Sequence, residues 1–90
     1  MISYQRPDEV GLYHPEQLDA PVQVLQEPDG QDVQDMVWVK QGMQMKACLL
    51  NSRNQVSLVP VADDTIKVRF LKVYWLSADR SLQCTLAKMS

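Results

Sequence analysis

Histidine and cysteine are scarce in this chain of 90 residues, which has one histidine and two cysteines. A structural zinc site takes four ligands, mostly cysteine and histidine, at short spacings. Cys48 and Cys84 are far apart and form no CxxC pair, so the sequence predicts no metal and no cofactor. Both lie in apolar, strand-like stretches, where we expect buried, reduced thiols. A single disulfide is the alternative if their two strands are neighbours.

Glycine is equally sparse, with three isolated residues at positions 11, 30 and 42. This spacing excludes a glycine-rich phosphate-binding loop. The single histidine, His14, lies beside a proline in an irregular stretch, and no local pattern pairs it with a nucleophile. Asp63 and Asp64 are adjacent between two predicted strands, which is typical of a turn rather than of a catalytic carboxylate pair. The sequence therefore predicts no catalytic residue and a protein that is not an enzyme.

Long hydrophobic runs are also absent, and no apolar run approaches the roughly 18 residues that span a bilayer. The first nine residues contain no apolar stretch of the kind found in secretory signals. On these grounds we expect a cytoplasmic protein with no membrane association.

The composition that remains is that of one small globular domain, with 46% hydrophobic and 22% charged residues. Charge is distributed unevenly: residues 1–35 carry eight acidic side chains and one arginine, whereas residues 36–90 carry eight basic and three acidic side chains. Such asymmetry is typical of an interaction surface. The alternative is that the acidic segment packs along the basic strands, and the sequence leaves both interpretations open.

Turn signals every eight to twelve residues divide the chain after residue 20 into short β-branched and aromatic runs. We predict strands near residues 22–25, 36–40, 45–50, 56–61, 66–76 and 82–89. Pro60 has no backbone N–H, so its strand is expected to lie at a sheet edge or to end there. We predict an irregular acidic arm over residues 1–20, packed on a single small β domain over residues 21–90.

The longest run, residues 66–76, changes phase in its middle. Ile66, Val68 and Phe70 are the apolar set at first, and Leu71, Val73 and Trp75 form the set afterwards. A change of one residue indicates a β-bulge or a strand that passes from one packing layer to another. Bent strands of this kind form the corners of small barrels and sandwiches. The predicted fold class is all-β: a small barrel or strongly bent sandwich of five to six antiparallel strands.

Three hypotheses for function follow. The first is a non-catalytic module that binds a protein partner or a second copy of itself, because tryptophan and tyrosine are enriched at interfaces. The second is a nucleic-acid-binding barrel, in which basic side chains beside aromatic rings hold a single strand; the predicted pI of 5.1 argues against it. The third is a small-molecule binder or enzyme without a recognisable motif. The candidate interaction residues are Trp38, Lys67, Arg69, Lys72, Tyr74 and Trp75.

Overall fold

The computed structural model of the chain describes residues 5–77 and 79–89. These residues form seven β-strands and one helical turn. The elements, in chain order, are β1 (Glu9–Tyr13), β2 (Gln23–Gln26), β3 (Val33–Gln41), β4 (Gln44–Asn51), β5 (Val56–Pro60), α1 (Asp63–Ile66), β6 (Phe70–Leu76) and β7 (Leu82–Lys88).

The strands form two antiparallel sheets. The four-stranded sheet has the order β2-β1-β6-β7, and the three-stranded sheet has the order β3-β4-β5. The prediction of an all-β fold with antiparallel strands is therefore confirmed, with seven strands instead of five or six. The described residues do not form a closed barrel.

The core lies between the two sheets, because each sheet directs one set of alternating side chains towards the other. Leu12, Leu71 and Val73 come from the four-stranded sheet, whereas Met36 and Leu49 come from the three-stranded sheet. Leu12, Leu71, Val73 and Leu49 are fully buried. These side chains belong to a single hydrophobic cluster, so the two sheets are packed as one sandwich.

β1 corrects the prediction that residues 1–20 form an irregular arm. It pairs with β2 on one side and with β6 on the other, so it lies inside the four-stranded sheet. Its pattern was missed because Val10, Gly11, Leu12 and Tyr13 show no alternation of polar and apolar residues. They are buried on both faces of the sheet, and a strand of this kind has no period of two.

α1 corrects the predicted strand over residues 66–76. Residues 63–66 form one helical turn, and the strand begins at Phe70. The acidic Asp63 and Asp64 favour a helix N-terminus, and the backbone N–H of Ala62 and the hydroxyl of Thr65 both donate to Oε1 of Gln23. The phase change is thus the passage from a helical turn to a strand, not a bulge within one strand. No helix of the described residues is long and apolar enough to cross a membrane.

Several connections lie where the turn signals predict them. The amide of Gly30 donates to the carbonyl of Glu27, which closes the predicted turn over residues 27–30. Gly42 has a φ of 60° in the turn between β3 and β4, a backbone conformation that glycine adopts without a steric cost. β5 ends at Pro60 and forms one edge of its sheet, as the missing N–H predicts.

Candidate functional site

Both tryptophans lie on inner faces of the sandwich rather than on a free surface. Trp75 is 7% exposed, and its indole N–H donates to the backbone carbonyl of Gln34 at 3.3 Å. Trp38 packs against the core from β3, and its buried indole N–H has no hydrogen-bond partner among the described residues. The prediction of these two residues as interaction candidates is therefore not supported by their placement, because both rings serve the core.

Tyr74 lies on the opposite face of β6, yet it is also buried. Its ring meets that of Tyr13 edge to face, with the ring centres 5.5 Å apart and the planes at 87°, a favoured aromatic geometry. Burial raises the pKa of Tyr74 above its ordinary value, and the side-chain hydrogen bond with Cys84 raises it further. Tyr74 is thus part of the packing of the outer face, not an exposed anchor.

The three candidate basic residues are spread over a turn, a connection and a strand. Lys67 follows α1 and lies 4.0 Å from the carboxylate of Asp64, with both side chains highly exposed. Arg69 is exposed just before β6, and Lys72 is half-buried on the outer side of β6. The structure therefore brings none of them together with an exposed tryptophan or tyrosine, and the aromatic ring left partly exposed beside them is Phe70.

Two ion pairs in the acidic first third of the chain are local in sequence. The guanidinium of Arg6 lies 3.3 Å from the carboxylate of Asp8 and 4.0 Å from that of Glu9. Neither pair joins this segment to the basic strands. Exposed pairs of this kind contribute about 0–1 kcal/mol, so they do not hold the segment in place; the β1 ladder does.

The outer face of the four-stranded sheet carries an exposed apolar surface. Strand registers place Tyr74 beside Cys84 and Lys72 beside Leu86 on this side. Around the buried Tyr13 and Tyr74, the apolar side chains exposed to solvent are Val24, Phe70, Leu82 and Leu86. Glu9 and Lys88 lie at its corners. We call this surface the outer face of the four-stranded sheet.

The outer face of the three-stranded sheet is apolar as well. Val37, Cys48 and Leu58 lie side by side across its three strands, and Leu50 and Val56 form the next row. Val37 is 55% exposed and Val56 is 64% exposed.

Sequence reasoning missed both outer faces, although consecutive apolar residues in residues 36–39 and 73–76 indicate strands that are apolar on both sides.

A groove of about 400 Å³ opens at one end of the outer face of the four-stranded sheet. Phe70, Leu86 and Val68 provide its apolar wall, and His14 and Arg69 lie at its margin. The Nδ1 atom of His14 accepts a hydrogen bond from the backbone N–H of Glu16, so this nitrogen already has a local partner. The groove extends the apolar surface, and the described polar groups do not converge in it as in a binding pocket.

The two cysteines lie in different sheets. Cys48 is half-buried on β4, and Cys84 is exposed on β7. The expectation that both thiols are buried is therefore wrong for Cys84, and both are free. Cys84 is exposed because β7 is an edge strand whose outer side is not covered.

No group of three histidine, cysteine or carboxylate residues that could hold a metal ion occurs within the part of the chain that the structure describes. Comparisons with protein-family models, with curated proteins and with solved structures found no match for this chain.

Proposed function

We propose that this chain is a non-catalytic interaction module that binds a protein, either a partner or a second copy of itself. The observation that supports this proposal most strongly is that both sheets carry exposed apolar side chains on their outer faces, including Val37, Val56 and Leu86. Apolar surface in contact with water is unfavourable, and a second protein surface removes it. Contiguous apolar patches on small proteins are typical of interaction sites.

The dimensions of the sandwich support the same proposal. Its extents are 33 × 31 × 16 Å, so the molecule is two sheets thick and each sheet has one face covered by the other. A face of these dimensions covers on the order of 1,000 Å², and a standard interface takes about 800 Å² from each partner. Either outer face is therefore large enough for a protein interface.

Polar side chains frame these faces in the way that an interface requires. Glu9 and Lys88 lie at the margin of the four-stranded sheet, and Asp35 and Lys46 lie on the outer side of the three-stranded sheet. Interfaces combine an apolar centre with a polar rim, which sets orientation and partner choice. The nucleic-acid hypothesis has weaker support, because Tyr74 and Trp75 are buried and do not offer rings on which bases stack.

Site-specific photo-crosslinking in cells that produce the protein tests the proposal. A photoreactive benzoylphenylalanine replaces Val37 on one outer face or Leu86 on the other, and the adducts are identified by mass spectrometry. We expect a discrete protein adduct, with a second protein or with another copy of the chain, from at least one of these positions.

Arg53, which is exposed in the turn after β4, is the matched control position away from both faces. A probe at Arg53 should give no discrete adduct. The proposal fails if neither face gives an adduct, if the control gives the same adducts as the faces, or if the adducts contain nucleic acid instead of protein.

A further inference from the structure

The two sheets have four edges, and three of these carry features that hinder pairing with another strand. β5 ends in Pro60, which donates no hydrogen bond. β2 has four residues, and its Gln23 side chain holds α1 beside it. β3 has a register shift between Val33 and Asp35, and the backbone carbonyl of Gln34 at this shift already accepts a hydrogen bond from the indole N–H of Trp75. Proline, short length, bulges and covering groups are the usual protections of edge strands.

β7 carries none of these features over its first five residues. It pairs regularly with β6 along its whole length, and no proline or bulge interrupts it. Leu82 and Leu86 are 46% and 61% exposed, and Cys84 between them is exposed. A long, regular and apolar edge is a template for a further strand.

The backbone hydrogen bonds of the β6–β7 hairpin determine which groups of β7 face the open side. The amide of Met89 donates to the carbonyl of Arg69, and the amide of Ser77 donates to the carbonyl of Ser81. Residues of an antiparallel pair alternate between hydrogen-bonded and non-hydrogen-bonded positions. The odd-numbered residues of β7 therefore bond to β6, whereas Leu82, Cys84 and Leu86 direct their N–H and C=O groups outward.

We infer that β7 pairs antiparallel with β7 of a second copy, on a two-fold axis through Cys84. This register makes Cys84 its own partner and places Leu82 opposite Leu86 of the second copy. All of these residues have outward-facing backbone groups, so the donors and acceptors of the two strands meet. The inference rests on the proposed function and names its partner: another copy of this chain.

Side-chain matching favours a second copy over an unrelated strand. Leu82 meets Leu86 on the outer side, and Gln83 meets Thr85 on the inner side, so apolar residues oppose apolar ones and polar oppose polar. The pairing ends at Leu82, because Arg80, with a φ of 65°, has left the strand. Two four-stranded sheets become one sheet of eight strands, and their apolar outer faces become continuous.

The interface is small, because it consists of one strand on each side. Interfaces below the standard area of about 800 Å² per partner are generally weak. The dimer should therefore form in a concentration-dependent way, and sedimentation velocity from roughly 10 to 500 µM covers the range in which such interfaces associate. We expect the average mass to rise from monomer to dimer across this range.

Leu86→Lys is the variant that tests the edge, because a lysine on an edge strand opposes further pairing. Val56→Lys is the matched control, since Val56 is 64% exposed against 61% for Leu86 and lies on the other sheet. We expect Leu86→Lys to weaken the dimer at least tenfold and Val56→Lys to leave it unchanged. A dimer that survives Leu86→Lys with unchanged affinity, or a parent protein that stays monomeric, would overturn the inference.

Thiol cross-linking tests the register without perturbing the apolar contacts. Cys48→Ser leaves Cys84 as the sole thiol, and diamide takes up the hydrogens of two thiols as their sulfurs join in a disulfide. Hydrogen-bonded antiparallel partners have Cα atoms about 5.5 Å apart, within the range of about 4.4–6.8 Å that a disulfide spans. We expect rapid formation of a covalent dimer through Cys84.

The control places the sole thiol on the opposite edge of the same face, in Cys48→Ser/Cys84→Ser/Val24→Cys. Val24 is exposed on β2, so edge pairing through β7 predicts slow cross-linking there. Equal rates at both positions would mean that the sheets pack face to face, which contradicts the inference. A photo-crosslink from Val37 or Leu86 to a different protein, with no self-association, would overturn the inference while the proposed function stands.

Discussion

The four-stranded and three-stranded sheets share one core but differ in how far the side chains on their outer faces are buried. On the four-stranded sheet, the rings of Tyr13 and Tyr74 are buried against the strands, and the side chain of Gln5 donates to the carbonyl of Glu9 nearby. On the three-stranded sheet, the aliphatic side chains of Val37 and Val56 remain mostly exposed.

This difference means that the centre of the four-stranded sheet mainly stabilises the fold, whereas the outer face of the three-stranded sheet is available for binding. β1 and β6 bury side chains on both of their faces, whereas the fully buried side chains of β4, at the centre of the three-stranded sheet, all lie on one face. Burial stabilises at about 25 cal/mol per Å² of apolar surface removed from water. We therefore expect substitutions at the centre of the four-stranded sheet to lower the free energy of unfolding strongly, and substitutions on the outer side of the three-stranded sheet to change it little.

The largest effect is expected from Leu12→Ala at this centre. Leu12 is fully buried on β1 and lies opposite Val73. The substitution should lower the free energy of unfolding by about 2–5 kcal/mol, through lost burial and a cavity. Urea unfolding followed by tryptophan fluorescence measures the change. The same truncation at the partly exposed Leu58, Leu58→Ala, should cost about 1 kcal/mol or less, and equal losses at both positions would contradict the comparison.

The second prediction concerns the junction between the two sheets. Asn51, at the end of β4, donates from Nδ2 to Oε1 of Glu27 at 2.9 Å, and both residues are buried. Asn51→Asp places a carboxylate against that of Glu27 and should lower stability at pH 7 by about 2–3 kcal/mol. Protonation of one of the two carboxyls relieves the repulsion.

Urea unfolding at pH 7 and near pH 4.5 measures this effect. The Asp variant should recover part of its lost stability, relative to the parent protein, at the lower pH. Asn51→Ala is the control: it removes the donor to Glu27 without adding charge, so its loss should depend much less on pH. It also removes the Oδ1 acceptor of the backbone N–H groups of Arg53 and Gln55, which the Asp variant keeps, so the two variants are compared by the slope of stability against pH and not by its absolute value. Parallel pH profiles for the two variants would refute like-charge repulsion at this junction.

The comparison of the sheets also explains which elements the sequence predicted well. β3, β4, β5 and β7 were predicted within a few residues, because turn signals such as Gly42 and Pro60 bound them and their backbone requirements are local. β1 was not predicted, since a strand buried on both sides lacks alternation. The position of β1 is determined by its pairing with β6, which lies about 60 residues away in the sequence. This pairing is a tertiary contact, so no local pattern in the sequence reveals it.

The exposure of the candidate interaction residues was predicted less well for the same reason. Residue type alone points to Tyr74 and Trp75, but burial depends on what packs over each ring: Tyr13 for Tyr74, and the opposite sheet for Trp75. The exposure of Leu86 and Val56 is not evident from the sequence, because exposed and buried aliphatic residues are of the same type. Which face of a strand a second sheet covers is not a local property.

The third prediction tests the packing of the Tyr13 ring over Gly11, on the outer face of the four-stranded sheet. A Cβ atom at this position would lie 2.7 Å from Cε1 of Tyr13 and 3.2 Å from Oε1 of Gln5. Gly11→Ala should therefore displace the Tyr13 ring and cost about 1–2 kcal/mol, measured by urea unfolding. In a Tyr13→Ala background the added methyl group should cost far less, and an undiminished cost there would show that the ring contact is not the cause.

The smallest effect is expected from the ionisation of Tyr74. Burial of its hydroxyl, and then its hydrogen bond with Cys84, raise the pKa of Tyr74 above the ordinary value of 10.0. The folded state therefore holds the proton more tightly than the unfolded state does. The stability from the neutral hydroxyl is fully present below pH 10 and is lost as the pH rises through the folded-state pKa. Ultraviolet absorbance of tyrosinate, measured during alkaline titration, should show a late phase that belongs to Tyr74.

Tyr74→Phe identifies that late phase, because it removes the hydroxyl and leaves the ring packed against Tyr13. The late phase should disappear in this variant, and the decline in stability above pH 10 should become shallower. Cys84→Ala should shift the late phase towards lower pH, since it removes a group that raises the pKa of Tyr74. If the late phase persists in Tyr74→Phe, Tyr74 is not the protected tyrosine. If the parent protein shows no late phase at all, the outer face of the four-stranded sheet is as open to water at Tyr74 as that of the three-stranded sheet.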